Sequence, residues 1–275
     1  MSRWWFPGAA RITGAYAAFS FAWIVVGDRL AQHAAPGGSY RLSIEDAKGL
    51  LFVTLSSLLI YVLVAQSEAH RRRSAQAQQA AYDETLMGWA AALDVRDHST
   101  AAHTARVTAL TEQLACSVGI SGHELVRIRR GATLHDIGKM GVPDEILRKE
   151  GPLTDAEWVL MRQHPDLAVQ FLSGVNYLRD ALDIPWCHHE KWDGSGYPRG
   201  LAGTDIPIAA RLFAVIDVYD AVTSDRPYRR ALPHGDVMAL IHDGKGSHFD
   251  PDVVDAFDRL MDTNPTLRHG IPVSH

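Results

Sequence analysis

Hydrophobic positions are distributed along this chain in two regimes. Up to residue 67 they form long unbroken runs; from about residue 84 they recur at helical spacing between polar positions. The longer run is residues 49–67, 19 uncharged and mostly apolar positions between Lys48 and Glu68. As a helix it spans about 28 Å, close to the ~30 Å hydrocarbon core of a bilayer. A buried core helix is its competing reading. The earlier run, residues 12–27, has 16 positions between Arg11 and Asp28. It spans if Arg11 snorkels, with Trp4 and Trp5 near the headgroups. A cleaved signal peptide with Arg3 and Arg11 as its basic start is the alternative, although no A-x-A site follows. The pattern predicts a transmembrane hairpin over residues 1–67, with spans at about 10–30 and 48–67.

The flanks set its orientation. Arg71, Arg72 and Arg73 follow the second run and Arg3 and Arg11 precede the first, while the connecting stretch is mixed in charge. The positive-inside rule then places both ends in the cytoplasm, as an inner-membrane, multi-pass protein. Cys116 and Cys187 face a reducing compartment and are read as free thiols. Residues 50–87 contain no Gly or Pro and become rich in Ala and Gln after the arginines. The second span is therefore expected to run on into a linker helix, residues 68–83, that could pair with a copy of itself as a homodimer, although no heptad is sustained. From residue 84 to 275, prolines at 143, 152, 165, 185, 198, 207, 227, 233 and 251 divide the chain into one-helix segments, and strand-like alternation is nearly absent. That predicts an all-α domain.

Composition sharpens one point. With 47% apolar residues and 2 Cys, the chain is neither a disordered tail nor a disulfide scaffold. Its net charge of −5 averages +4 over residues 1–80 with −9 over residues 81–275. An acidic domain argues against a nucleic-acid polymer as partner.

The 14 His carry the candidate chemistry. His103, His135-Asp136, His164, His188-His189 and Asp217 recur at intervals of about one helix plus its connection. Each helix of a bundle could thus offer one ligating turn to a shared interior point, a common way of building metal sites. Adjacent ligands point about 100° apart on a helix, which suits two neighbouring metals, or a ligand and its supporting partner, better than one metal. A lone helical His is more often a surface or core residue, so spacing alone leaves the metal site undecided.

The motifs go further. H-D-I-G-K at 135–139, H-H-E-K-W-D-G-S-G-Y-P-R-G-L-A-G-T-D-I-P at 188–207, D-V-Y-D-A-V-T-S-D-R-P-Y-R at 217–229 and H-F-D-P at 248–251 closely resemble the HD-GYP family, over roughly residues 84–265. That family is a subgroup of the HD-domain metal-dependent phosphohydrolases and hydrolyses cyclic di-GMP. The resemblance implies an HD-domain helical bundle and a phosphodiesterase that yields linear pGpG and, with further hydrolysis, GMP. Its metal ligands map onto His103, His135, Asp136, His164, His188, His189 and Asp217. Some members hold a third metal with a Glu four residues before the first His; here that residue is Ser99, so two metals are expected. The donor set suits iron, manganese, cobalt or zinc, and the family narrows this to iron or manganese. The hairpin resembles the two-span anchors of bacterial signalling proteins. The alternatives are a non-catalytic receptor for the nucleotide or partner proteins, and a phosphohydrolase of another cyclic dinucleotide.

Two metals can lower the pKa of water toward ~7 and polarise phosphoryl oxygens. Asp136, between two His-rich half-sites, is the natural bridging ligand. Lys139, one turn beyond, can reach the scissile phosphate, or form a surface salt bridge. The family places phosphate-gripping residues at Arg226 and Arg229, and Arg forks match phosphate oxygens. Asp220, one turn from Asp217, completes the substrate-facing candidates, with orientation of a ligand or basic residue as its other reading. In the G-Y-P loop, Tyr197 and Trp192 could stack on guanine, or serve packing and protein partners. Cys187 is read as a small buried residue. His33, His70, His98, His123, His234, His242, His269 and His275 belong to no motif and are read as surface residues, and His248 is assigned no chemistry.

Overall fold

The computed structural model of the chain describes residues 7–34, 40–97, 101–224 and 230–269. The expectations at Trp4, Trp5, Ser99, Arg226 and Arg229 lie outside the described residues. The chain divides into two compact units, Met1–Ala81 and Tyr82–His275. Among the described residues every regular element is helical, and β-pairing is limited to isolated bridges at Asp193–Ala202 and Lys245–Phe249.

The first unit holds α1 (Pro7–Ala34) and most of α2 (Tyr40–Arg96). Phe19 stacks on Phe52 at 5.9 Å and 11°, and Trp23 lies 5.8 Å from the same ring, so the two helices lie side by side. Most of their remaining apolar surface faces outward, including Phe21, Leu50, Val53, Leu58 and Tyr61. The most apolar 18-residue stretch of α2 has a mean hydropathy of 2.1 and only 6% of it is buried. That length and composition suffice to cross a membrane, whereas the apolar part of α1, Ile12–Val26, is shorter. A surface this apolar is stable only against apolar surroundings.

The second unit begins within α2, whose Leu86, Ala90 and Leu93 are buried at helical spacing. Among the described residues nine further α-helices follow: α3 (Ala101–Ser117), α4 (Gly122–Thr133), α5 (Asp144–Leu147), α6 (Asp155–Met161), α7 (His164–Leu172), α8 (Asp183–Cys187), α9 (Ile208–Thr223), α10 (His234–Asp243) and α11 (Pro251–Thr263). The prolines mostly open helices rather than end them. Pro143, Pro207 and Pro233 directly precede α5, α9 and α10, while Pro165 and Pro251 sit in the first turns of α7 and α11. There a missing N–H costs nothing and the fixed φ is already helical.

Helix α9 is the hub. Leu212, Phe213, Val215 and Ile216 are buried in succession, so it is enclosed on every side, as an all-round apolar helix must be. It packs on α3 and α8 and is covered by α10 and α11 through Ile241 and Phe257. A smaller cluster, with Leu86, Leu134, Ile137 and Leu172, joins the end of α2 to the 3-10 turn Ile137–Gly141 and to α7.

That turn rests directly on α7. A Cβ at Gly138 would stand 1.8 Å from the His164 carbonyl oxygen and 2.7 Å from the Ala168 nitrogen, so only glycine allows the two backbones to meet. Gly138→Ala is predicted to cost upward of ~3 kcal/mol through forced separation of the elements. A melting scan of the purified variant should show a fall on the order of 10 °C, and an unchanged midpoint would contradict this packing.

Candidate metal centre

Four elements converge on α9. His103 comes from α3, His135 and Asp136 from the turn after α4, His164 from the start of α7, His188 and His189 from the turn after α8, and Asp217 from α9. The helices thus offer mostly their ends and connecting turns, with only Asp217 in a helix interior. The ligating atoms fall into two groups, each within 4.8 Å: His164, His188 and His189, and His103, His135 and Asp217.

Asp136 lies between them. Its Oδ2 is 3.1 Å from His135 Nε2, and its Oδ1 is 3.5 Å from His164 Nε2 and 3.8 Å from His188 Nε2. One oxygen therefore faces each group. His103 Nε2 is 3.6 Å from Asp217 Oδ1. All seven residues expected as ligands are brought together.

The ring orientations are fixed from outside. His135 Nδ1–H donates to the Ala132 carbonyl at 2.9 Å, His164 to Met161 at 2.9 Å, and His188 to Ile184 at 3.0 Å. His103 Nδ1–H donates to Asp220 Oδ2 at 2.7 Å. With Nδ1 occupied outward, each ring directs its Nε2 inward, and a neutral ring presents a lone pair there, the arrangement that metal-binding imidazoles need. His164 and His188 then aim two lone pairs at one another across 3.3 Å. Such a contact calls for a shared cation.

The local electrostatics agree with a cation site. Burial drives His188 well below its ordinary pKa, lowers His164 and takes His189 down to about 3, reinforced by neighbouring imidazoles. These rings stay neutral and keep their lone pairs. Burial would also lower His135, but the Asp136 carboxylate outweighs it and raises the ring to about 9. Burial works against the Asp136 charge, yet Lys139 and His135 hold it well below the usual carboxylate range. Positive charge beside Asp136 is thus strongly favoured, and a divalent ion supplies it with donors of the right type. The donor set of imidazoles and carboxylates fits divalent metal.

Lys139 is not a surface salt bridge. Its Nζ donates to Asp136 at 2.8 Å and to Asp97 at 2.9 Å, and these carboxylates raise its pKa against the opposing effect of burial. Asp97, at the end of α2, is a residue that sequence reasoning missed. So is its neighbour Arg96, whose guanidinium donates to the carbonyls of Lys139, Met140 and Val142 at 3.1, 2.9 and 2.7 Å. Together they clamp the turn that carries Lys139.

Asp220 corrects its substrate-facing reading. It is 3% exposed, its Oδ1 accepts from Arg106 at 2.6 Å, and its Oδ2 accepts from Arg106 at 2.9 Å as well as from His103. The carboxylate is spent on orienting a ligand and a basic residue. Arg106, one turn after His103, also escaped the sequence reading, although that spacing was its available signal.

The loop at 192–198 folds onto H-H-E. Glu190, 2% exposed, accepts from the backbone N–H of Arg199 at 2.7 Å and of Leu201 at 3.0 Å. A Cβ at Gly196 would stand 2.3 Å from the Lys191 nitrogen, so loop and turn meet backbone to backbone. Tyr197 stacks on His189 at 4.7 Å and 28°, with the Arg162 guanidinium 5.3 Å from its ring; its contacts are those of packing. Trp192 lies under Arg211 at 5.9 Å. Cys187 is buried, which pushes its thiol up to about 11 and fits an inert core residue. His234 is not a bare surface residue: its Nδ1 meets the Tyr219 hydroxyl at 3.0 Å. His242 is exposed and pairs with Asp258 at 2.9 Å.

Comparison with known proteins matches this architecture to one family model, described as "HD domain", over residues 90–253. Among curated relatives, a "Cyclic di-GMP phosphodiesterase" of Vibrio cholerae is 41% identical over 190 residues, 64% of this chain and 39% of its own length. One of the same name from Thermotoga maritima is 42% identical, covering 61% of this chain and 46% of its own. A "3'3'-cGAMP-specific phosphodiesterase 2" of V. cholerae is 37% identical over 69% of this chain and 37% of its own. The chain thus spans less than half the length of these relatives. The solved structure of the cyclic GMP-AMP phosphodiesterase V-cGAP3 shares the fold, with a TM-score of 0.53 at 16% identity, over 67% of this chain and 50% of that one. On the extent of the family match, which covers more than half of its residues, this chain belongs to the HD-domain family.

Proposed function

We propose that the protein is a membrane-anchored, metal-dependent phosphodiesterase that opens cyclic di-GMP to linear pGpG and, with further hydrolysis, to GMP. The observation that carries this reading is the Asp136 carboxylate, which faces a three-ligand group with each oxygen inside a domain whose relatives bear that activity in their names. In this reading residues 1–67 are a hairpin anchor in the inner membrane, residues 68–83 a linker helix that can pair in a homodimer, and residues 84–275 a cytoplasmic catalytic domain. The long apolar stretch of α2 supports the anchor. The G-Y-P loop, exposed around Ser195, is available to protein partners.

His103, His135, Asp136, His164, His188, His189 and Asp217 would hold two divalent ions, iron or manganese. Such ions lower the pKa of water and draw charge from a phosphoryl group. The chain's own residues do the rest. Lys139 uses two of its three N–H donors on Asp97 and Asp136, and the third is free to meet a phosphate oxygen. Asp97 holds that ammonium when Asp136 turns to other partners. Phe213, 4.8 Å from His135 and 6.0 Å from His188, gives the rings a dry wall that strengthens every charge interaction beside it. Arg226 and Arg229 are placed by their motif to grip the substrate's phosphates.

A second reading has a specific observation behind it. Relatives named as 3'3'-cGAMP-specific phosphodiesterases match at 37% and 34% identity, so a mixed GMP–AMP ring is the other candidate substrate.

The full chain in detergent, loaded anaerobically with Fe(II) or Mn(II), is predicted to convert cyclic di-GMP to pGpG, read by chromatography. Binding without turnover at full metal occupancy would sink the enzyme reading in favour of a receptor. The double variant His135→Ala, Asp136→Ala is expected to lose metal and activity together, and retained activity would show the site to be misplaced. Asp220→Asn, which leaves every ligand in place, should weaken metal affinity by about 10- to 100-fold in a chelator competition. Unchanged affinity would remove Asp220 from the support of His103.

A further inference from the structure

Arg162 and Trp158 flank the imidazole cluster without entering it. The first turn of α6 is fixed by a capping box: Thr154 Oγ1 accepts from the Glu157 N–H at 3.4 Å, and the Glu157 carboxylate accepts from the Thr154 N–H at 2.7 Å. Trp158 follows directly. Arg162, four residues on, caps the helix at its C-terminus, so the two side chains share one face. The Arg162 guanidinium lies 5.9 Å from the Trp158 ring and 5.3 Å from Tyr197, whose ring stacks on His189. Rings and guanidinium thus run from the protein surface to the candidate metal ligands.

Arg162 is held differently from Arg106 and Arg211. Arg106 and Arg211 are each ion-paired, to Asp220 and Asp250. Arg162 is exposed, and among the described residues its side chain meets only the two rings. A guanidinium held by its π face keeps its in-plane N–H donors for something else. Beside it Trp158 is 44% exposed. A planar ligand that also carries two adjacent acceptors satisfies both.

We propose that Trp158 and Arg162 form a base subsite for one guanine of the cyclic dinucleotide. The indole stacks on the purine and the guanidinium donates to O6 and N7 of its Hoogsteen edge. This rests on the phosphodiesterase reading and adds a means of base selection to it. Adenine keeps N7 but carries a donor, N6, where guanine has the O6 acceptor; the fork then loses one bond and faces a competing donor. A phosphate would use the guanidinium but gain nothing from the indole, and Lys139 already stands closer to the centre for that role.

The test uses the full chain in detergent, loaded with Mn(II). KM and kcat are measured on cyclic di-GMP, 3′,3′-cyclic GMP-AMP and cyclic di-AMP, together with Kd for the non-hydrolysable phosphorothioate analogues of each. Arg162→Gln should raise KM and Kd for cyclic di-GMP about tenfold, leave cyclic di-AMP nearly unchanged, and hold kcat and metal content within about twofold. Arg162→Lys should not restore selectivity, because an ammonium is not a fork. Trp158→Ala should weaken all three rings, with Trp158→Phe recovering most of the loss. An equal loss for all three rings in Arg162→Gln would mark a phosphate contact and overturn the proposal. So would an unchanged Kd, or a fall in kcat accompanied by metal loss, which would mark mere support of Tyr197 and His189. Wild-type protein that binds the analogues but turns over no ring defeats the phosphodiesterase reading, while the same Kd ratios still decide the guanine subsite.

Discussion

Two imidazole lone pairs 3.3 Å apart, beside a carboxylate held in its charged form, repel one another until positive charge lies among them. The rest of the second unit is organised around keeping that arrangement together. Neutral imidazoles are cheaper to bury than charged ones, and burial holds His164, His188 and His189 neutral. The outward Nδ1–H groups of His164 and His188 are satisfied, so these polar rings are not left wanting a partner in a dry interior. The enclosing wall comes from α9, whose Phe213 faces the rings while its neighbours fill the core. Core and site are therefore one object: the helix that supplies Asp217 is also the most completely buried in the domain.

Legibility in the sequence followed how local each signal is. The helical content could be read because apolar spacing and proline positions act within a few residues. The seven candidate ligands could be picked out because each lies in a short motif of distinctive residue types, and the fold brings them together. Asp97, Arg96, Arg106 and Glu190 could not. Asp97 and Arg96 act on partners more than forty residues away, and Arg106 on one more than a hundred away. A charged residue on a helix has the same local appearance whether it faces water or a distant carboxylate. Asp220 was half legible: its spacing from Asp217 gave its neighbourhood, and only the packing of α3 on α9 shows that both oxygens are taken.

Backbone contact accounts for much of what the motif letters mean. Gly138 and Gly196 stand where one main chain touches another, at α7 and at the H-H-E turn. The spelling of these segments is therefore partly steric: glycine lets the turns that carry the candidate ligands approach, independently of any contact with substrate. Glu190 has a similar role by charge, since a buried carboxylate that accepts two backbone N–H groups ties the loop to the ligand beside it.

The anchoring of the rings bears on how such a site can change over generations. Three of the Nδ1 anchors are main-chain carbonyls, which no amino-acid replacement removes. His103 alone among these four leans on a side chain, Asp220, which also holds Arg106. Mutational drift can therefore detune the half of the centre built on α3 and α9 while the half built on α7 and the turn after α8 keeps its ring geometry. The two ligand groups are unequally heritable, and divergence within such a scaffold has an obvious side on which to begin.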